Sequence, residues 1–160
     1  MPKNILILYT NYGTGHYSAA QAIAEYLATK FPEANIRVFD PLTYSRPFVN
    51  RIFARTGRLV ATRFRRFRGK LYKRKMYRNY FRPSRFMNFC TKFFWTKKLQ
   101  KSLVDFNPDL IISTQVGPTG LIAAHKHFFH APLISVFTDY GVHRYYTVCH
   151  NLVDLFLSPP

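Results

Sequence analysis

The stretch Asn4-Ile5-Leu6-Ile7-Leu8-Tyr9-Thr10-Asn11-Tyr12-Gly13-Thr14-Gly15-His16-Tyr17-Ser18-Ala19-Ala20 decides how the chain folds. Four consecutive aliphatic residues without polar alternation predict a strand over 4–10 that is buried on both faces, as in a parallel sheet. A glycine-bracketed turn follows. Ala19, Ala20, Ala22, Ile23, Tyr26 and Leu27 then recur at helical spacing, and Pro32 ends that helix near Lys30. Glycine accepts positive φ and lets another group approach the backbone, so Gly13 and Gly15 suit a chain reversal at a binding edge. The helix behind them points its free N–H groups and positive dipole end at the loop, which favours an anion. His16 stands at that mouth, the one side chain of the loop that exchanges a proton near neutral pH. Imidazole in such a setting suits a general base; the plainer reading is a histidine that only bonds the backbone.

Outward from this stretch, residues 35–39 predict a second strand, closed by Asp40-Pro41. Strand, helix and strand in so short a span form a βαβ unit and imply a parallel sheet. After Asn107-Pro108 the same rhythm returns. Residues 109–113 and 132–137 predict buried strands, Gly117-Pro118-Thr119-Gly120 opens a helix through about residue 129, and 152–157 predict a last short strand. A further helix is expected over about 84–106, with Phe89, Phe93, Leu99 and Leu103 toward the core. The fold class is therefore α/β, a Rossmann-like open parallel sheet of five strands with one long basic helical crossover. Ligands of such sheets bind at the carboxyl ends of the strands, where the loops 12–16, 114–119 and 138–143 should meet. Ordinary connecting turns are the alternative.

The totals bear on partners. A chain of 160 residues fits one domain, and a net charge of +17 points to nucleic acid, an anionic membrane or an acidic protein surface. Between Asp40 and Asp105 there is no acidic residue, while 19 of the 24 Lys and Arg residues lie there. The densest run holds Arg63, Phe64, Arg65, Arg66, Phe67, Arg68, Lys70, Lys73, Arg74 and Lys75. Cations interleaved with aromatics serve phosphates and stacked bases, and equally anionic headgroups and a lipid interface. A solvated surface is the usual reading of a charge run, but water serves the aromatics poorly. Cys90 and Cys149 make no disulfide framework, which favours a reducing compartment. No secretory signal is expected from so short an apolar start, and no run of about 18 apolar residues predicts a membrane-spanning helix. Contact with a bilayer would be peripheral.

Several motifs fail. A dinucleotide fingerprint needs glycine where Ser18 stands, and a Walker A loop is missing its Gly-Lys-Ser/Thr. His125, His127, His130, His143 and His150 lack the carboxylate or cysteine company of a zinc site, so no metal is expected. Cys149 reads as a buried apolar residue. Asp139 can orient a ligand hydroxyl, hold an imidazole or cap a turn.

The order Tyr12-Gly13-Thr14-Gly15-His16-Tyr17-Ser18-Ala19-Ala20, then Asn107-Pro108-Asp109-Leu110-Ile111-Ile112-Ser113-Thr114, then Val136-Phe137-Thr138-Asp139 with His143, resembles the N-terminal domain of monogalactosyldiacylglycerol synthases and the related processive diacylglycerol glucosyltransferases. The resemblance spans nearly the whole chain and implies the acceptor half of a GT-B glycosyltransferase. It implies transfer of a hexose from a UDP-sugar to diacylglycerol, without a cofactor, by a peripheral enzyme on the cytoplasmic face of a membrane. Carried over by position, His16 would deprotonate the acceptor hydroxyl, Gly13 and Gly15 would shape the loop facing acceptor and donor phosphates, and Asp139 and His143 would line the cleft. The basic aromatic insertion at about 44–104 matches the family's membrane-docking segment, which favours lipid over nucleic acid. The family carries a Trp shortly after the later histidine; Tyr146 stands there in this chain. The resemblance also implies that residues 1–160 are the acceptor domain alone, with the nucleotide-sugar domain absent and supplied by a further segment or a separate donor-binding subunit.

Overall fold

The aliphatic run forms β1, Asn4–Leu8, an inner strand of a five-stranded parallel sheet. The structure is a computed structural model and describes residues 3–11, 14–44, 94–138 and 151–158. In chain order, the described elements after β1 begin with α1 (Thr14–Lys30), β2 (Asn35–Phe39) and a 3-10 turn over Pro41–Tyr44. Then come α2 (Lys97–Phe106), β3 (Leu110–Ser113), α3 (Val116–Ala124) and a second 3-10 turn over Lys126–Phe128. The strands β4 (Leu133–Val136) and β5 (Leu155–Leu157) complete the set. The sheet runs β2-β1-β3-β4-β5, every pair parallel.

This order explains why β1 has no polar alternation. Ile5 and Ile7 enter one apolar cluster with Ala20, Ile23 and Leu27 of α1. Leu6 and Leu8 point the other way, into a cluster with Leu99 and Leu103 of α2 and Leu121 and Ile122 of α3. All four β1 side chains are fully buried, each worth roughly 1.5–3 kcal/mol against exposure. Right-handed crossovers require the two faces: the chain steps from β1 outward to β2, then returns past β1 to β3, so α1 and the pair α2 and α3 cover opposite sides. The reversal falls between β1 and β3, the switch point where open α/β sheets open a crevice.

Two sequence expectations change at element ends. The helix expected over 84–106 begins afresh at Lys97 within the described residues, because Thr96 adopts an extended N-cap and its hydroxyl accepts from the Leu99 N–H at 3.1 Å. It stops at Asn107 in the left-handed region, φ 47°, a conformation asparagine tolerates. The helix expected through 129 ends at Ala124 and tightens into the 3-10 turn. Asp109 ties the strand starts together, its Oδ2 accepting from the backbone N–H groups of Lys3 (2.8 Å) and Asn4 (2.9 Å). These two bonds hold its carboxyl below the usual carboxylate range.

Candidate active site

At the carboxyl edge of the sheet, His16 in the first turn of α1 meets the residues that follow β3 and β4. Its Nδ1 lies 3.0 Å from the Thr114 carbonyl oxygen and 2.6 Å from Thr138 Oγ1. The Thr138 hydroxyl donates to the same carbonyl at 3.2 Å. A carbonyl oxygen only accepts, so Nδ1 carries the proton. Neutral imidazole then has its lone pair on Nε2, which no described residue bonds. The ring is half-buried, and the described residues hold it through Nδ1.

Thr114 is the staple of this corner. It is fully buried; its N–H donates to the Leu8 carbonyl at 2.9 Å, and its hydroxyl reaches the carbonyls of Leu8 (3.2 Å) and His16 (3.1 Å). The ends of β1 and β3 and the first turn of α1 are thereby fixed relative to one another. On the β2 side, Asp40 accepts from the N–H groups of Asn11 (3.3 Å) and Leu42 (2.9 Å) and anchors the loop that leaves β1. Burial raises the Asp40 carboxyl above its ordinary value, and these two bonds pull the other way. Tyr9 and Tyr17 pack with ring centroids 5.1 Å apart. The Tyr9 phenol is raised by burial first, then by Asp40 and Tyr17.

Both helices that start here lack acidic residues in their first turns, and the Gln115 side chain does not cap α3. Gly15 lies inside the first turn of α1 and not in a left-handed turn, and an added Cβ would meet nothing within 4 Å. Gly117 in α3 is likewise open. Neither backbone angle nor packing demands glycine at Gly15, which corrects the expectation of a positive-φ reversal there. Two buried polar atoms, Thr10 Oγ1 and Gln115 Oε1, make no hydrogen bond to any described residue, and they follow β1 and β3 on this same edge.

His16 and Gly15 are thus on one edge, with Thr114 and Thr138 beside the histidine. The threonines belong to loops that the topology brought together on paper, but nothing local marked them as histidine partners, since they lie 98 and 122 residues away. Gly13, Asp139, His143 and the basic run 63–75 lie outside the described residues, as do Phe89, Phe93, Cys90 and Cys149. Among the described residues no three of His, Cys, Asp and Glu gather as metal ligands. His125 is bound elsewhere: its ring stacks on Trp95 at 3.6 Å and 3°, and its Nδ1 bonds the Leu121 carbonyl at 2.9 Å. No helix among the described residues is long and apolar enough to cross a membrane.

No curated protein and no solved structure matches this chain. A family model described as monogalactosyldiacylglycerol (MGDG) synthase matches residues 16–159. That span takes in His16, Thr114 and Thr138 together with β2, β3, β4 and β5 of the sheet, and begins after β1. The chain belongs to the MGDG synthase family of GT-B glycosyltransferases, enzymes that build glycolipids on a lipid acceptor, and corresponds to its N-terminal domain.

Proposed function

We propose that this chain forms the acceptor side of a membrane-surface glycosyltransferase, in which His16 takes the proton of a diacylglycerol hydroxyl as that oxygen attacks the sugar carbon of a UDP-hexose. The observation that carries this reading is the ring of His16, whose Nδ1 is committed to Thr114 and Thr138 while Nε2 stays unbonded by any described residue. The acceptor O–H bond breaks as the N–H bond forms at Nε2. The new C–O bond forms as the bond to the nucleotide breaks, and UDP leaves with the electron pair. A positioned base of this kind contributes about 10²–10⁴ in rate.

Other features of the edge support the same chemistry. The positive ends of α1 and α3 favour anionic groups, and Gly15 and Gly117 leave room at both. Thr10 and Gln115 hold hydrogen-bonding capacity that the described residues do not use. Gly13, Asp139 and His143, which lie outside the described residues, are assigned to acceptor binding on the family resemblance. Diacylglycerol resides in a bilayer, so its enzyme must work there. The insertion at about 44–104 docks the domain peripherally on the cytoplasmic face, through Arg63, Arg65, Arg66, Arg68, Lys70, Lys73, Arg74 and Lys75 with Phe64 and Phe67. Each cation near an anionic leaflet is worth about 1 kcal/mol. Residues 1–160 act as the acceptor domain, and the UDP-sugar is held by a second domain or subunit of the complete enzyme.

Vesicle sedimentation tests this reading, using anionic lipid at graded content with and without diacylglycerol, beside an RNA titration at matched salt. Binding should rise with anionic lipid and increase further with diacylglycerol. Tight RNA binding with no vesicle binding would overturn it.

A further inference from the structure

Building on the reading of His16 as the base, we infer that Thr138 is a positioning residue that, with the Thr114 carbonyl, locks the His16 proton onto Nδ1 and keeps Nε2 free to accept. The three groups close a ring of hydrogen bonds. The Thr138 hydroxyl proton is spent on the Thr114 carbonyl at 3.2 Å, so toward Nδ1, at 2.6 Å, its oxygen accepts. Nδ1–H is then shared between Thr138 Oγ1 and the Thr114 oxygen at 3.0 Å. The opposite tautomer would set the Nδ1 lone pair against that carbonyl lone pair in a half-buried corner, and the single hydroxyl proton of Thr138 could not serve both acceptors.

The arrangement also acts during the reaction. When Nε2 takes a proton, the ring becomes an imidazolium, and the bonds from Nδ1–H become charge-assisted and roughly twice as strong. Their contribution grows as the proton moves, so they act on kcat more than on substrate binding. Thr138 suits the task because a β-branched side chain at a strand end is stiff about χ1 and carries its hydroxyl in few orientations. The three partners come from the ends of three different elements, α1, β3 and β4, so the ring is set by the tertiary fold.

The test uses the chain labelled with 15N-histidine, reading the ring nitrogens of His16 by NMR, with assignment from His16→Gln. The wild type should show proton on Nδ1 alone. Thr138→Val, which keeps the shape and removes the hydroxyl, leaves the Thr114 carbonyl as the remaining described acceptor for Nδ1–H and should weaken the preference, so that a measurable Nε2–H fraction appears beside Nδ1–H. Thr138→Ser should keep the wild-type pattern, with the His125 signals serving as the folding control. In the sugar-transferring enzyme Thr138→Val should lower kcat about tenfold, one hydrogen bond's worth, at unchanged KM, and Thr138→Ser should restore most of it. A His16 tautomer and kcat unchanged in Thr138→Val would overturn the inference, as would equal losses in the Val and Ser variants. A tautomer shift in Thr138→Val alongside full turnover in His16→Ala would support the positioning and remove the base. An unchanged tautomer alongside lost turnover in His16→Ala would do the reverse.

Discussion

His16 and His125 each donate from Nδ1 to a backbone carbonyl, at 3.0 Å to Thr114 and at 2.9 Å to Leu121. Beyond that bond they part. The partner of His125 lies one turn back in its own helix, and the ring belongs to an aromatic corner, one face stacked on Trp95 with Phe128 beside the pair at 6.2 Å. The partner of His16 closes a neighbouring strand 98 residues away, a second oxygen reinforces it, and the far nitrogen is left unbonded by described residues at the sheet's switch point. The first bond is common to structural and catalytic histidines. What separates them is whether the rest of the ring is consumed by packing.

Exchanging the burdens of the two residues should separate them most sharply. His16→Ala should reduce glycosyl transfer about 10²–10⁴-fold and barely move thermal unfolding, while His125→Ala should destabilise the fold and keep turnover per folded molecule. Next in size, Trp95→Ala should cost about 2–3 kcal/mol in denaturant unfolding, through the lost stack and packing against the core. Gly15→Ala should raise stability by about 0.5–1 kcal/mol, because an ordinary helical position with open space gains from a methyl. If that space serves the acceptor, the same variant loses turnover; gain in both would show that Gly15 serves neither.

The smallest effect is in pH. Burial lowers the His125 imidazole below its ordinary value of 6.5, the Leu121 carbonyl opposes this, and His127 adds to it. The unfolded chain therefore binds that proton more readily. The stability due to neutral His125 is present above the unfolded value and is lost as pH falls through the depressed folded value. A Tm series between about pH 7 and about pH 5 should show this decline, and His125→Phe, which keeps a ring on Trp95, should remove it. Asp154 has the same sign at lower pH. Its carboxylate is held down by the Lys126 ammonium and the Leu133 N–H, so its contribution is present above the ordinary carboxylate value and is lost as pH falls through its folded value.

The sheet was legible because burial on both faces writes itself into unbroken runs such as Ile5 to Leu8 and Ile111-Ile112. The convergence of the loops after β1, β3 and β4 followed from that reading. Element ends were less legible. The apolar spacing of Leu99 and Leu103 extends backward through Phe93 and Phe89, and only the extended backbone of Thr96 shows a fresh start at Lys97. Gly15 misled in a small way, since glycine before a helix suggests a turn and here sits within the first turn. The threonine partners of His16 carried no local mark: a Thr after a strand is common, and only strand order makes Thr114 and Thr138 neighbours of one imidazole.

The central claim is that the Nε2 of His16 takes the acceptor proton. Chemical rescue tests it most directly: sugar transfer from UDP-hexose to diacylglycerol in vesicles is measured for His16→Ala in the complete enzyme, as imidazole is added. Turnover should be lost without imidazole and should rise with the concentration of the neutral base, while vesicle binding stays at the wild-type level. A variant that transfers sugar at the wild-type rate, or whose lost turnover imidazole leaves unchanged, would contradict the account.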